Sequence, residues 1–155
     1  MPLDDDVAFL ENVPTLALLG RPALRILAIG TETKKVASGA VLFYAGDLAD
    51  CGYIVQEGGF MLEDDRRGEH AEMHVGPGSL LGDLALITDT VRTETATAQE
   101  PSVVIRIPRS LFLKMLEAYP EAARSLRDAM AERLEAWTRD LSGVRTKLEA
   151  GLKDS

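Results

Sequence analysis

Between Leu81 and Ala98 the chain reads Leu-Gly-Asp-Leu-Ala-Leu-Ile-Thr-Asp-Thr-Val-Arg-Thr-Glu-Thr-Ala-Thr-Ala. Gly82 opens a short apolar turn, Leu84-Ala85-Leu86-Ile87, too brief for a full helix. A polar run follows, and a single cation, Arg92, stands just before an alternating, strand-like segment. Backbone N–H groups at the start of a short helix point outward and carry partial positive charge. A guanidinium opposite them grips a phosphate through two oxygens. The combination predicts an anion site. The competing reading is a surface arginine paired with Asp83, Asp89 or Glu94.

The other reactive residue types suggest no second chemistry. Cys51 is the only cysteine, so no internal disulfide forms, and it reads as a small hydrophobe at a strand edge. His70 and His74 share a strand face but stand about 13 Å apart, too far for one metal ion. Asp64-Asp65-Arg66-Arg67 reads as a solvated hairpin tip. No nucleophile–base pair or ligand cluster emerges, so neither enzymatic activity nor a metal or bound cofactor is expected.

Turns and short strands must position the candidate cation. Apolar positions from Phe9 to Ala28 recur at helical spacing and are divided by Pro14, Gly20 and Pro22, giving a helical region over 1–34. From Lys35 short apolar runs alternate with turns at Ser38-Gly39, Ala45-Gly46-Asp47, Gly58-Gly59, Arg67-Gly68 and Gly76-Pro77-Gly78. Ala71, Met73 and Val75 alternate with Glu72 and His74, as in a half-buried strand. Many short strands over 35–107 predict a small sandwich or jelly roll. A short helix over 109–119 and one long helix over 121–153 follow, and the whole chain, 1–155, reads as one domain.

Along the long helix Met130, Leu134, Trp137, Leu141, Val144 and Leu148 are spaced as a heptad seam. A helix of about 30 residues spans roughly 45 Å, more than a small domain covers. Burying Leu134, Trp137, Leu141, Val144 and Leu148 in a parallel homodimer is the expected outcome.

Hydrophobic content of 46% and charged content of 27% are ordinary for a globular protein. Net charge is −8, and from Glu121 onward seven acids balance seven bases, so the whole excess lies before Glu121. Such an acidic body argues against a nucleic-acid surface and repels anions at long range, so an anion must be held by local geometry. No apolar run spans a bilayer, and the start, Met-Pro-Leu-Asp-Asp-Asp, is acidic where a secretory signal is basic. A cytoplasmic location without membrane contact is expected.

The segment 81–98 resembles the phosphate-binding cassette of the cyclic nucleotide-binding domain family, in which Gly-Glu-x-Ala-Leu precedes Arg-(Ser/Thr/Ala)-Ala. Gly46-Asp47-Leu48-Ala49, with the strand Tyr53-Ile54-Val55 and Gly58, looks like a second signature, although Gly52 stands where the family carries a large residue. The order of elements also matches, most nearly the sensory halves of catabolite-activator-type bacterial regulators. The resemblance implies a mainly β fold with flanking helices: an eight-stranded jelly-roll barrel (a double-stranded β-helix), short N-terminal helices and a long C-terminal helix. Ending at Ser155, the chain is expected to lack the helix-turn-helix domain of those regulators, and to begin naturally at Met1 rather than be cut from a longer protein.

By that resemblance Arg92 pairs with the cyclic phosphate and Thr93 adds a phosphate contact, while Gly82 lets the backbone approach, in a cassette that includes Leu84 and Ala85. Asp83 replaces the glutamate that accepts the ribose 2′-hydroxyl, with about 1.5 Å less reach. Glu94 replaces an alanine, and a carboxylate about 5 Å from a phosphate costs a few kcal/mol unless it turns outward. As a strand neighbour of Thr93 it would face the opposite side. Trp137 is read as a seam residue or a base-stacking platform, with Thr138 beside it. The expected function is cyclic AMP or cyclic GMP sensing, transmitted through the C-terminal helix to a separate output protein. The alternative is a ligand-free domain of the same fold serving dimerisation or docking.

Overall fold

The computed structural model describes residues 3–64 and 71–131. Three short helices lead the chain: α1 (Leu3–Glu11), α2 (Pro14–Ala17) and α3 (Arg21–Gly30). Pro14 and Pro22 stand in the first turns of α2 and α3, where a missing N–H costs no helical bond. Ten strands follow: β1 (Glu32–Val36), β2 (Val41–Phe43), β3 (Leu48–Ala49), β4 (Cys51–Glu57), β5 (Phe60–Asp64), β6 (Ala71–Val75), β7 (Leu80–Leu81), β8 (Thr90–Val91), β9 (Thr95–Ala98) and β10 (Ser102–Pro108). A 3₁₀ turn over Leu84–Leu86 separates β7 from β8, and α4 (Arg109–Ala118) follows β10. Helical backbone resumes over 120–131.

The strands pair antiparallel in three sheets, ordered β1-β10-β4-β7, β2-β9-β5-β6 and β3-β8. A mainly β fold with flanking helices is therefore present. The expected eight-stranded barrel is corrected: there are ten strands among the described residues, and the sheets do not close on one another. Register shifts interrupt β2 against β9 and β10 against β4, and such irregularities bend a strand away from its neighbours. The turns at Gly46-Asp47 and Gly82 cut off the two-residue strands β3 and β7, which are too short to show any periodicity.

Two cores share the sheet β1-β10-β4-β7. Cys51, Tyr53 and Val55 of β4 point between the sheets with Phe43, Phe60, Leu62, Ala96 and Val104. Ile54, with Ile105 and Ile107 of β10, points to the other side, where Leu10, Leu16, Leu24, Leu27, Phe112 and Met115 of the helices pack. Burial on both faces explains why the start of β4 is almost continuously apolar. β6 is the exception to the expected half-buried strand. Among the described residues it pairs only with β5, at the sheet edge, and Met73 is 60% exposed.

Over 120–131 Ala122 and Leu126 are buried in the helical core. The seam residues Leu134, Trp137, Leu141, Val144 and Leu148, together with Thr138, lie outside the described residues, as do His70 and the hairpin tip from Asp65.

Candidate functional site

Arg92 is only 7% exposed, an unusual place for a guanidinium. It follows β8 and runs inward under the cassette. Its Nη2 donates to the Cys51 carbonyl oxygen at 2.8 Å and lies 3.4 Å from Cys51 Sγ. The guanidinium carbon stands 4.4 Å from the centre of the Phe43 ring and 5.5 Å from that of Tyr53. These rings are themselves stacked, 6.1 Å apart, and offer the cation their negative faces. Tyr53 does not neutralise it. Burial pushes the phenol above its usual pKa and its contact with Cys51 adds to this, while Arg106 and Arg92 pull the other way. Nη1 is buried with no hydrogen-bond partner among the described residues. An unpaired buried donor costs about 1–3 kcal/mol, more when charged. The fold maintains this cost at the Nη1 of Arg92.

The surface-arginine reading fails on two counts. Arg92 is buried, and Asp89 pairs with Arg109 instead. No ion pair joins Arg92 to a carboxylate among the described residues.

The Gly46-Asp47 turn holds the backbone of Arg92 from both sides. Arg92 N donates to the Asp47 carbonyl at 2.7 Å, and Gly46 N donates to the Arg92 carbonyl at 2.7 Å. Asp47 Oδ2 accepts from Tyr44 N and closes the turn. The second sequence signature thus serves the first: it positions Arg92.

Gly82 has φ of +81°, and a Cβ there would lie 2.2 Å from Arg92 Nη1. Both its conformation and its missing side chain are required. The 3₁₀ turn that follows differs from expectation. Leu84 N donates to Asp83 Oδ1 at 2.9 Å, Ala85 N to Gly82 O and Leu86 N to Asp83 O. These three amides are satisfied within the turn. Asp83 spends one carboxylate oxygen on its own turn, which its shorter side chain permits.

Gly52 explains its own departure from the family pattern. A Cβ there would meet Leu86 at 3.1 Å, so Leu86 from the 3₁₀ turn occupies the space that a larger residue would fill. Beside it lies a residue that sequence reasoning missed. Arg109, the first residue of α4, donates from Nε to Ala85 O at 2.8 Å and from Nη2 to Ala49 O at 2.5 Å, and pairs with Asp89. One guanidinium joins the turn, β3 and α4. The Pro108-Arg109 helix start was legible, but nothing local marked its partners. Arg109→Ala is expected to lower the unfolding free energy by about 2–3 kcal/mol, at about 1 kcal/mol for each bond to a carbonyl, with little from the exposed Asp89. Arg109→Lys should recover less than half, because an ammonium cannot reproduce the planar fork. Urea unfolding monitored by circular dichroism reads both.

These elements enclose a cavity of about 250 Å³ whose wall includes Phe43, Ala49, Leu62, Leu81 and Val91. Gly82, Asp83, Leu84, Ala85, Arg92 and Thr93 all line it, so the structure brings the sequence-derived cassette residues together. Glu94 lines it too. Thr93 and Glu94 form a bend rather than a strand, so the two-sided alternation expected to send Glu94 away does not operate. Trp137 and Thr138 lie outside the described residues.

Residues 33–119 match the family described as cyclic nucleotide-binding domain. The chain is similar to an uncharacterized NTE family protein of Mycobacterium bovis, 37% identical over 125 residues, covering 81% of this chain. Curated relatives of this kind are far longer: the chain spans 21% of the mycobacterial protein and as little as 8% of others. A cyclic nucleotide-binding-like protein of Brucella abortus is 38% identical with a TM-score of 0.65, over 74% of this chain and 99% of that one. The N-terminal domain of a Streptomyces coelicolor transcriptional regulator is 29% identical with a TM-score of 0.77, over 86% of this chain and 94% of that one.

Proposed function

The chain belongs to the cyclic nucleotide-binding domain family, and on that premise we propose that it binds cyclic AMP or cyclic GMP as a regulatory sensor. The observation that carries this reading is the unpartnered Nη1 of the buried Arg92 in the cavity wall. A cyclic phosphate oxygen would complete it, with Thr93 adding a contact, Gly82, Leu84 and Ala85 shaping the wall and Asp83 meeting the ribose. Trp137 and Thr138 are proposed to lie over the base. The role is binding rather than catalysis, in the cytoplasm and as one domain over 1–155, without DNA or membrane contact. No helix among the described residues is long and apolar enough to cross a membrane.

The route from occupancy to output is supported by the packing behind the turn. Asp83, Leu84, Leu86 and Ile87 share a small cavity of about 50 Å³ with Phe112, Leu126 and Met130. A ligand that shifts the turn therefore shifts the packing of the helix that begins at 120. We propose that this helix pairs with that of a second copy through Leu134, Trp137, Leu141, Val144 and Leu148, and presents the change to a separate output protein. Leu141→Glu is expected to convert a dimer into a monomer. Sedimentation equilibrium at tens of micromolar checks it, and a monomeric unsubstituted protein would overturn the seam.

Titration calorimetry with cyclic AMP and cyclic GMP tests the sensor itself. Absence of both heat and thermal shift at millimolar nucleotide would overturn it. That result would leave the interaction-module reading, which the presence of Asp83 and Glu94 in an anion site favours.

A further inference from the structure

We propose that Glu94 selects the guanine edge of cyclic GMP over the adenine of cyclic AMP; this rests on the cyclic nucleotide reading above. Among the described residues, the ionisable groups lining the cavity are Arg92, Asp83 and Glu94. Arg92 Nη1, buried without a partner among the described residues, is assigned to the anion by the reading above. Asp83 spends an oxygen on Leu84 N. Glu94 stands half-buried in the same wall, two residues from the anion-binding cation, held there by the bend between β8 and β9. A carboxylate so placed weakens any ligand that brings only negative charge. It becomes favourable when the ligand also brings hydrogen-bond donors.

The described part of the wall supplies few such donors. Among the described residues, and apart from Arg92, the side-chain donors lining it are the hydroxyls of Thr90 and Thr93, and most of the remainder is apolar. A ligand that brings donors would supply the partner for Glu94. Guanine presents N1–H and N2–H side by side, which match the two oxygens of a carboxylate. Adenine presents one N6–H donor beside the N1 lone pair, and that lone pair repels the second oxygen. A good bidentate pairing to a base discriminates by roughly ten- to hundredfold. The chain thus carries a base-reading group within the cassette itself, at a position where the family pattern has an alanine.

Calorimetric titrations of the unsubstituted protein, Glu94→Ala and Glu94→Gln with cyclic GMP, cyclic AMP and cyclic IMP test this. The unsubstituted protein should bind cyclic GMP at least tenfold more tightly than cyclic AMP, with cyclic IMP, which lacks the 2-amino group, between them. Glu94→Ala should weaken cyclic GMP tenfold or more yet strengthen cyclic AMP, because one loses a contact and the other loses a repulsion. Glu94→Gln should likewise erase the preference. Glu94→Ala strengthening both ligands alike would leave only repulsion and overturn the proposal. Weakening both alike would place the carboxylate on the shared ribose 2′-hydroxyl and also overturn it. Either result leaves the sensor reading intact, whereas failure of all three nucleotides to bind the unsubstituted protein overturns both. Unchanged thermal midpoints of the two variants without nucleotide exclude a folding defect as the cause.

Discussion

Arg92→Met is expected to lose at least a hundredfold in cyclic nucleotide affinity while the unliganded protein becomes no less stable. The two effects have different physical origins. Affinity falls because a charge-assisted contact in a partly desolvated site is worth about 1.5–3 kcal/mol, and a bidentate one more. Stability does not fall with it, because the unliganded fold buries a guanidinium whose Nη1 has no partner among the described residues. Replacing an uncompensated buried charge with an apolar side chain of similar length is often neutral or stabilising. The methionine retains contact with the Phe43 and Tyr53 rings, over which the guanidinium now lies. Against this stands the loss of the bond from Nη2 to the Cys51 carbonyl, about 1 kcal/mol. Calorimetric titration and thermal unfolding of the same preparation check both signs. A variant that unfolds many degrees lower would show that Arg92 holds the sheets together rather than awaiting a ligand.

Gly82→Ala is expected to damage stability and affinity together. At φ of +81° an alanine costs about 1–2 kcal/mol in backbone strain. Its Cβ would fall 2.2 Å from Nη1, so Arg92 must move out of the position that the Cys51 carbonyl and two rings define. For a chain of this length a loss of about 1–2 kcal/mol lowers the midpoint of thermal unfolding by roughly 2–8 °C. Displacing the guanidinium should cost at least tenfold in nucleotide affinity. Serine at the same position would meet the same clash. A fully active Gly82→Ala protein would mean that Arg92 reaches the ligand by another path.

The cassette was legible because its parts lie in one stretch. Gly82, the apolar turn and Arg92 follow each other within eleven residues, and turn chemistry and residue type act locally there. The flanking helices were legible for a similar reason: prolines at first turns and apolar positions at helical spacing mark helix starts and faces. Strand boundaries were less legible. β3, β7 and β8 are two residues each, too short to carry a period, and their pairing depends on partners far along the chain. β6 shows the converse, since its clean alternation promises a buried face that an edge position does not provide.

By itself, the amino-acid sequence determined the residue types at the site and their order, with a glycine before a short turn and a cation after it. What that cation does was decided by tertiary structure. Arg92 is buried because Cys51, 41 residues earlier, offers a carbonyl, and because β2 and β4 bring Phe43 and Tyr53 beneath it. Arg109 becomes the link between α4 and the cassette only when Ala49, 60 residues away, closes upon it. Glu94 enters the cavity wall because the chain bends there, where local alternation would have turned it outward. Periodicity records which face of an element is buried; it holds no information about which distant group will be waiting there, and that is where the chemistry of this site resides.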